Sequence, residues 1–114
     1  MISTFEEYQE QAATTANYPD RLDNKLGWIY PVLGLAEEAG EVAGKCAKIV
    51  RDNNWRYDMN KVYEIAKELG DVLWMVSAVC DEFGISLVDV ARINIAKLQD
   101  RKERNVLSGS GDNR

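Results

Sequence analysis

Apolar and polar residues recur along this chain with the 3.6-residue period of amphipathic helices. The clearest stripe of apolar residues, spaced mostly three or four positions apart, is Val62, Ile65, Leu69, Val72, Leu73, Val76 and Cys80. No segment shows the sustained two-residue alternation that is typical of a half-buried strand. The pattern therefore predicts four helices, over approximately residues 4–16, 24–52, 60–82 and 86–104.

Individual residues mark where these helices begin and end. Thr4 can cap the first helix, with Glu7 three residues later completing a capping-box pattern. Pro31 either kinks the second helix or starts its main part, because proline has no backbone N–H to donate inside a helix. Gly84 is expected to stop the third helix, and Ser86 to cap the fourth.

Four amphipathic helices with short connections predict an all-α, four-helix-bundle-like single domain. The 114 residues are enough for one core, and 46% hydrophobic with 29% charged residues is the composition of an ordinary globular protein. We expect the helical domain to span residues 1–107 and a Gly/Ser-rich tail to span residues 108–114. Composition alone favours a frayed, solvated end for this tail.

Composition also narrows the classes of function and location. No apolar run approaches the roughly 18 residues of a membrane span, and the acidic N-terminus does not resemble a signal peptide. We therefore expect a cytoplasmic protein with no membrane partner. The formal net charge of −5 disfavours binding to long nucleic acids. Cys46 and Cys80 each occupy an apolar helical position, which predicts buried free thiols rather than a disulfide.

Two groups of carboxylates carry the strongest chemical signal. Glu37, Glu38 and Glu41 fall within about 100° of one helix face, and Glu68 and Asp71 lie about 60° apart on the next helix. If the two helices face each other, five acids converge in a chain that has no histidine. Such a cluster repels itself unless it binds cations, and oxygen ligands select hard ions such as Mg²⁺ or its substitute Mn²⁺.

Either group alone has a simpler explanation as a solvated helix face. Glu41 and Lys45 form an i,i+4 pair that could absorb charge at the surface. Against this, Gly40 and Gly44 lie in the helix interior, where each glycine costs about 1 kcal/mol relative to alanine. Small residues at these positions would let a ligand or another backbone approach the glutamates. The metal site is therefore predicted from the two groups as a pair.

A basic counterpart lies on the fourth helix, where Asn94, Lys97 and Arg101 share one face that suits the oxygens of a polyphosphate. The alternative is a solvated basic helix end that complements the helix dipole. Nearer the N-terminus, four polar or aromatic residues are candidates for binding a base: Asn17, Asn24, Trp28 and Tyr30. Core packing explains the aromatic ones equally well, and nothing in the spacing selects a base or a sugar.

Together these groups predict metal-assisted hydrolysis. Mg²⁺ held by carboxylates usually keeps several waters and takes substrate phosphates as its remaining ligands. Two such ions can activate a water and stabilise the leaving phosphate, with Glu38 as a candidate general base. The alternative from a different class is a non-catalytic helical module that uses its acidic face to bind a basic protein partner.

The paired acidic motif and the residues around it resemble the all-α nucleoside triphosphate pyrophosphohydrolases of the MazG-like superfamily. The similar segments extend over nearly the whole chain, at residues 8–19, 33–42, 68–74 and 94–114. The resemblance implies Mg²⁺-dependent cleavage of a (d)NTP between its α and β phosphates. The products would be a nucleoside monophosphate and pyrophosphate, in nucleotide-pool sanitation or supply.

The resemblance also implies residue roles. Metal binding would fall to Glu37 or Glu38, Glu41, Glu68 and Asp71, with Glu38 and Glu41 as the candidate catalytic residues. Phosphate binding would fall to Lys97 and Arg101, with Asn94 and Arg114 as further candidates. A homodimer or homotetramer is implied, in which the basic segment and the tail complete a neighbour's site. Residues 112–114 would then belong to the functional apparatus.

Overall fold

The computed structural model describes all 114 residues, and it contains four helices and no strand. The helices are α1 (Phe5–Ala13), α2 (Ile29–Asn53), α3 (Met59–Phe83) and α4 (Leu87–Glu103). The prediction of an all-helical single domain is confirmed. None of the four helices combines the length and the apolarity that crossing a membrane requires.

Local side-chain caps start α1 and α3. The Thr4 hydroxyl accepts the backbone N–H of Glu7 at 3.1 Å, as predicted. The Glu7 carboxylate accepts the backbone N–H of Ser3 at 2.6 Å, so the capping box closes one residue before Thr4. The Asp58 carboxylate accepts the backbone N–H of Lys61 at 3.0 Å, a cap that the sequence pattern did not single out.

The turn from α3 to α4 follows the predicted signals. Gly84 is the C-cap of α3 and has φ of +68°, in the left-handed region that glycine adopts without steric cost. The Ser86 hydroxyl then accepts the backbone N–H of Asp89 at 3.0 Å and caps α4. These two caps join the helices through a connection of three residues, 84–86.

Two predicted helix boundaries were wrong. The first helix ends at Ala13 rather than near Ala16, because the hydroxyls of Thr14 and Thr15 donate back to carbonyls of the last turn and favour a stop. The second helix begins at Ile29 rather than near Asn24. Pro31 lies in its first turn, where the missing N–H breaks no helical hydrogen bond, so it starts the helix and does not kink it.

Helices α2 and α3 form the most closely packed pair, and they run antiparallel. Gly34 on α2 lies against Met75 on α3, so closely that a Cβ on Gly34 would be 2.6 Å from the Met75 sulfur. One turn further along α2, Glu38 faces Asp71, which is one turn back along α3. Helix α1 packs on α3 and α4, and no Cα atom of α2 lies within 8 Å of one in α1 or α4.

The core is small, since only 11 of the 114 residues are buried. Its buried hydrophobic members are Tyr18, Ile49, Met75, Ala78, Cys80 and Leu87. Both cysteines are free, as predicted, but the prediction that Cys46 is buried was wrong. Cys46 points into an apolar groove at the open end of the α2–α3 pair, which no other element of the protomer covers. Leu69, from the predicted apolar stripe, also lines this groove and is 51% exposed.

Candidate functional site

The α2–α3 pair brings three carboxylates together. One carboxylate oxygen from each of Glu38, Glu68 and Asp71 lies within 4.8 Å of the others. Glu38 and Glu68 are partly buried and Asp71 is exposed, so the group opens to solvent on one side. The antiparallel register that places Gly34 against Met75 also places Glu38 against Asp71. Glu37 and Glu41, the other two acids of the predicted site, are exposed and lie outside this group of three.

The five acids nevertheless form one electrostatic system. The pKa of Glu38 is raised above its usual value, first by burial and then by the negative charges of Asp71, Glu37, Glu68 and Glu41. All four of the other acids therefore act on the Glu38 carboxylate. A cation between α2 and α3 would offset this repulsion, because it attracts each of the carboxylates.

Lys45 supplies the one ion pair that reaches these acids. Its Nζ lies 3.9 Å from Glu68 Oε1, across the gap between α2 and α3. The surface pair between Lys45 and Glu41 that the sequence allowed as an alternative does not form. One lysine cannot balance five carboxylates. A solvated helix face with ordinary ion pairs therefore explains Glu68, but it leaves most of the negative charge uncompensated.

The donor set fits a hard divalent cation. All three facing side chains offer oxygen, which Mg²⁺ and Mn²⁺ prefer, and there is no histidine or facing thiol that would favour a softer metal. Three protein ligands leave coordination positions open toward solvent for waters or for the phosphates of a substrate.

Tyr8 of α1 lies beside the carboxylates, and sequence reasoning assigned it no role. Its pKa is raised by burial and by the charge of Asp71. Tyr8 and Leu73 line a cavity of about 360 Å³ together with residues 2–5, which lead into α1. The signal that could have identified Tyr8 is its position three residues after Phe5 on the face of α1 that meets α3.

The candidate base-binding aromatics have partners within the protein. Tyr30 stacks on Tyr18 with ring centroids 5.6 Å apart, and Tyr18 in turn meets the edge of Trp74 at 6.3 Å. Trp74 follows Asp71 by one helical turn, so this aromatic cluster borders the acids. Trp28 lies against Phe83 instead, with centroids 6.3 Å apart.

The two asparagines proposed for base binding occupy a different environment. Asn17 and Asn24 are both exposed, in the segment between α1 and α2. Asn24 has φ of +64°, a left-handed conformation that asparagine tolerates better than most residues, which gives it a turn-forming role of its own.

Two of the predicted phosphate-binding residues meet at the C-terminal tail. Lys97 Nζ donates to Asp112 Oδ1 at 2.9 Å, and Arg101 Nη2 donates to the same oxygen at 3.1 Å. Arg101 is 5% exposed. Asn94 is exposed and does not line the cavity of about 270 Å³ that Lys97 and Arg101 share with the tail.

The tail is an ordered loop, contrary to the expectation from its composition. The Arg114 guanidinium donates to the backbone carbonyls of Val106, Leu107 and Gly111. Arg104 donates to the backbone oxygen of Arg114 at 2.8 Å. Arg114, predicted to bind phosphate, thus holds the tail against the end of α4. None of the five acids lines the cavity at this end.

Comparison with known proteins assigns this chain a family match. The model of the MazG nucleotide pyrophosphohydrolase domain matches residues 31–106, which include all five acids, Lys97 and Arg101. The chain is 41% identical over 109 residues to the "Gene 37 protein" of Mycobacterium phage L5, covering 94% of this chain and 96% of that protein. No solved structure matches the chain.

Proposed function

This chain belongs to the MazG nucleotide pyrophosphohydrolase family, and from that premise we propose that it is a Mg²⁺-dependent nucleoside triphosphate pyrophosphohydrolase. It cleaves a (d)NTP between the α and β phosphates and releases a nucleoside monophosphate and pyrophosphate. Its role is nucleotide-pool sanitation or supply, in the cytoplasm. The observation that carries the proposal is the facing group of Glu38, Glu68 and Asp71.

These three carboxylates hold the metal, with Glu37 and Glu41 beside them. When bound, Mg²⁺ supplies Lewis-acid activation of a water and neutralises charge on the phosphates. Glu38 also acts as the general base, through a carboxylate oxygen that is not bound to the metal. Glu41 lies one helical turn from Glu37, and its negative charge strengthens the attraction of this helix face for cations.

On the substrate side, the phosphates bind to Lys97 and Arg101, with Asn94 and Arg114 as further candidates. Arg101 suits two phosphate oxygens at once, and Lys97 acts as a point charge. The base stacks near Tyr30 and Trp28, with Asn17 and Asn24 as polar contacts at the edge of the same segment. The aromatic cluster that borders the acids supports this side of the proposal.

The active form is a homo-oligomer, a dimer or a tetramer. A compact monomer of 12.9 kDa exposes about 6,300 Å². This protomer exposes 8419 Å², which is about 2,100 Å² more than that and well above the roughly 800 Å² that one partner buries in a standard interface. The excess includes the groove beside Cys46, with Trp55 72% exposed, and the α4 residues Ile93 and Ile95.

A second copy of the chain would also bring the cationic residues Lys97 and Arg101 close to the acids of α2 and α3. Within one protomer the backbones of α2 and α4 do not approach, and the cavity at Lys97 contains none of the acids. We therefore assign Lys97 and Arg101 to the carboxylates of a neighbouring subunit. Sedimentation should then show no folded species at the monomer mass at micromolar concentration; a stable, folded, active monomer contradicts this assignment.

Subunit complementation tests the shared site directly. Glu38→Gln and Lys97→Met should each abolish turnover alone. After mixed refolding, a dimer that pairs the two variants contains one intact site, so about one quarter of wild-type activity should return. If both residues act within one subunit, mixing restores nothing.

Activity itself is tested by incubating the protein with each nucleoside triphosphate and Mg²⁺, with phosphorus NMR to separate pyrophosphate from orthophosphate. The expected products are pyrophosphate and a monophosphate in equal amounts. Asp52→Asn, which removes a carboxylate paired with Arg51 at the far end of α2, is the matched control and should retain full activity. Folded protein that turns over no triphosphate overturns the proposal.

A further inference from the structure

The C-terminal loop places one carboxylate against two cations of α4 and bends at two glycines. Asp112 Oδ1 accepts from Lys97 and Arg101, and the Asp112 backbone oxygen also accepts from Arg101. Gly109 and Gly111 have φ of +122° and +86°, conformations that other residues rarely adopt. The loop is therefore shaped to deliver one negative charge to these two cations, through a backbone that can rearrange easily.

We propose that this loop is a displaceable latch: Asp112 occupies the cations that bind the phosphates of the substrate, and a polyphosphate must expel it to bind. The inference rests on the proposed assignment of Lys97 and Arg101 to substrate phosphates. It adds one step before substrate binding, since in the closed form of the site the Asp112 carboxylate occupies the place of the substrate phosphates.

The competing possibility is that Asp112 prepares the cations for phosphate. Fixing a flexible side chain in advance improves binding by about two- to tenfold. Lys97 gains more in this way than Arg101, because the Lys97 side chain is 38% exposed whereas Arg101 is 5% exposed. Repulsion acts in the opposite direction and increases with every charge of the ligand. Even in water, one unit charge about 4 Å from another changes an equilibrium constant about fivefold, and a pyrophosphate brings several charges.

The exposure of the Asp112 ion pairs also favours displacement of Asp112 by a polyphosphate. The Asp112 side chain is 77% exposed, so its departure uncovers little apolar surface and meets no barrier from packing. The loop has two other anchors: the Arg114 guanidinium on the backbone carbonyls of residues 106, 107 and 111, and Arg104 on the backbone oxygen of Arg114. Asp112 lies between Gly111 and Arg114, so the latch opens as one unit together with these contacts.

Backbone nitrogen NMR relaxation of the wild-type protein tests the direction of the effect, because no amide N–H of residues 107–114 donates a hydrogen bond whose loss amide exchange could detect. Full-length protein is titrated with inorganic pyrophosphate in EDTA, so that no metal binds at the carboxylates. The latch requires lower order parameters in residues 108–114 when pyrophosphate is bound. Higher order parameters there mean that Asp112 stays and assists binding, and unchanged order parameters or no binding mean that the anion does not use this site; each of these overturns the proposal.

A substitution tests how strongly the Asp112 charge weakens pyrophosphate binding. Asp112→Asn keeps the backbone contact to Arg101 and removes the competing charge, so calorimetry should show pyrophosphate binding at least about fivefold tighter than wild type. Asp52→Asn removes the same charge from a remote exposed pair and should leave the affinity unchanged. Equal or weaker binding by Asp112→Asn overturns the latch. These measurements need no turnover, so they remain decisive if the protein hydrolyses no triphosphate.

Discussion

Replacing Glu38 with glutamine should make the metal-free protein more stable. The substitution keeps the shape of the side chain and removes one charge from three carboxylates whose nearest oxygens lie within 4.8 Å of one another. At a water-like dielectric constant each such pair costs about 1 kcal/mol, and Glu38 takes part in two. Lys45 offsets part of the charge on Glu68. We therefore expect a gain of about 1–2 kcal/mol, or roughly 4–8 °C in Tm for a domain of this size.

The pH dependence of this gain follows from the raised pKa of Glu38, which burial and the neighbouring acids cause. A carboxyl group with a raised folded-state pKa contributes stability that is fully present below its unfolded pKa. That contribution is lost as the pH rises through the folded-state pKa. The advantage of Glu38→Gln should therefore be full at neutral pH and should shrink in acid, where Glu38 in the wild type is protonated.

Magnesium should reverse the order of the two proteins. At a concentration of 100 Kd, a ligand that binds only the folded state stabilises it by about 2.7 kcal/mol. The wild type should gain this amount, and Glu38→Gln, which has lost a ligand, should gain much less. Circular-dichroism melts in EDTA and in Mg²⁺, at one protein concentration, measure all four values. Glu10→Gln, an exposed acid on α1, is the control and should match the wild type in both buffers. A lower Tm for Glu38→Gln in EDTA, or equal Mg²⁺ shifts in both proteins, refutes the reasoning.

Two further perturbations test the packing around the site. Gly34→Ala should lower the free energy of unfolding by up to about 2 kcal/mol, because its Cβ would lie 2.6 Å from the end of the buried Met75 side chain, and shifting that side chain costs more than alanine gains in helix propensity. Gly44→Ala meets nothing within 4 Å and should raise the free energy of unfolding by up to about 1 kcal/mol. Urea unfolding measures both, and equal effects would contradict the α2–α3 register. Tyr18→Phe should cost about 1.5 kcal/mol at neutral pH, since it removes a 2.5 Å hydrogen bond to Glu82. Burial and that carboxylate raise the pKa of Tyr18 above its usual 10.0, so its contribution is lost as the pH rises through the folded-state pKa and the gap between the two proteins should narrow above about pH 10. A gap that widens in alkali contradicts this assignment.

The features that sequence predicted correctly are determined locally. A cap such as Thr4 or Ser86 depends on a backbone N–H three residues away, and Gly84 ends α3 through its own φ. The acids could be placed on helix faces for the same reason, because spacing alone sets their angles. Predicting that Glu38 and Asp71 face each other required one further condition: two helices joined by a short connection must pair antiparallel.

The features that sequence missed depend on partners far along the chain. The segment before α2 is held by the Glu82 carboxylate, which accepts from the Tyr18 hydroxyl and from the Leu22 backbone, and no local pattern in residues 18–28 announces this. The tail is similar, because its Gly/Ser composition favours disorder and the contacts that order it come from α4. Cys46 was misplaced for a different reason: its apolar position was identified correctly, but no element of the protomer covers it.

The proposed metal site and the proposed subunit interface involve the same two helices, so we expect metal binding and assembly to be coupled. Repulsion between Glu38 and Asp71 pushes α2 away from α3, and a cation between them draws the helices together. A second copy that covers the groove beside Cys46 and Leu69 also needs α2 and α3 in one fixed arrangement. Because linkage is reciprocal, Mg²⁺ should strengthen subunit assembly by the same factor by which assembly strengthens Mg²⁺ binding. The stabilisation by Mg²⁺ should therefore vary with protein concentration, whereas a metal site complete within a monomer would give the same shift at every concentration.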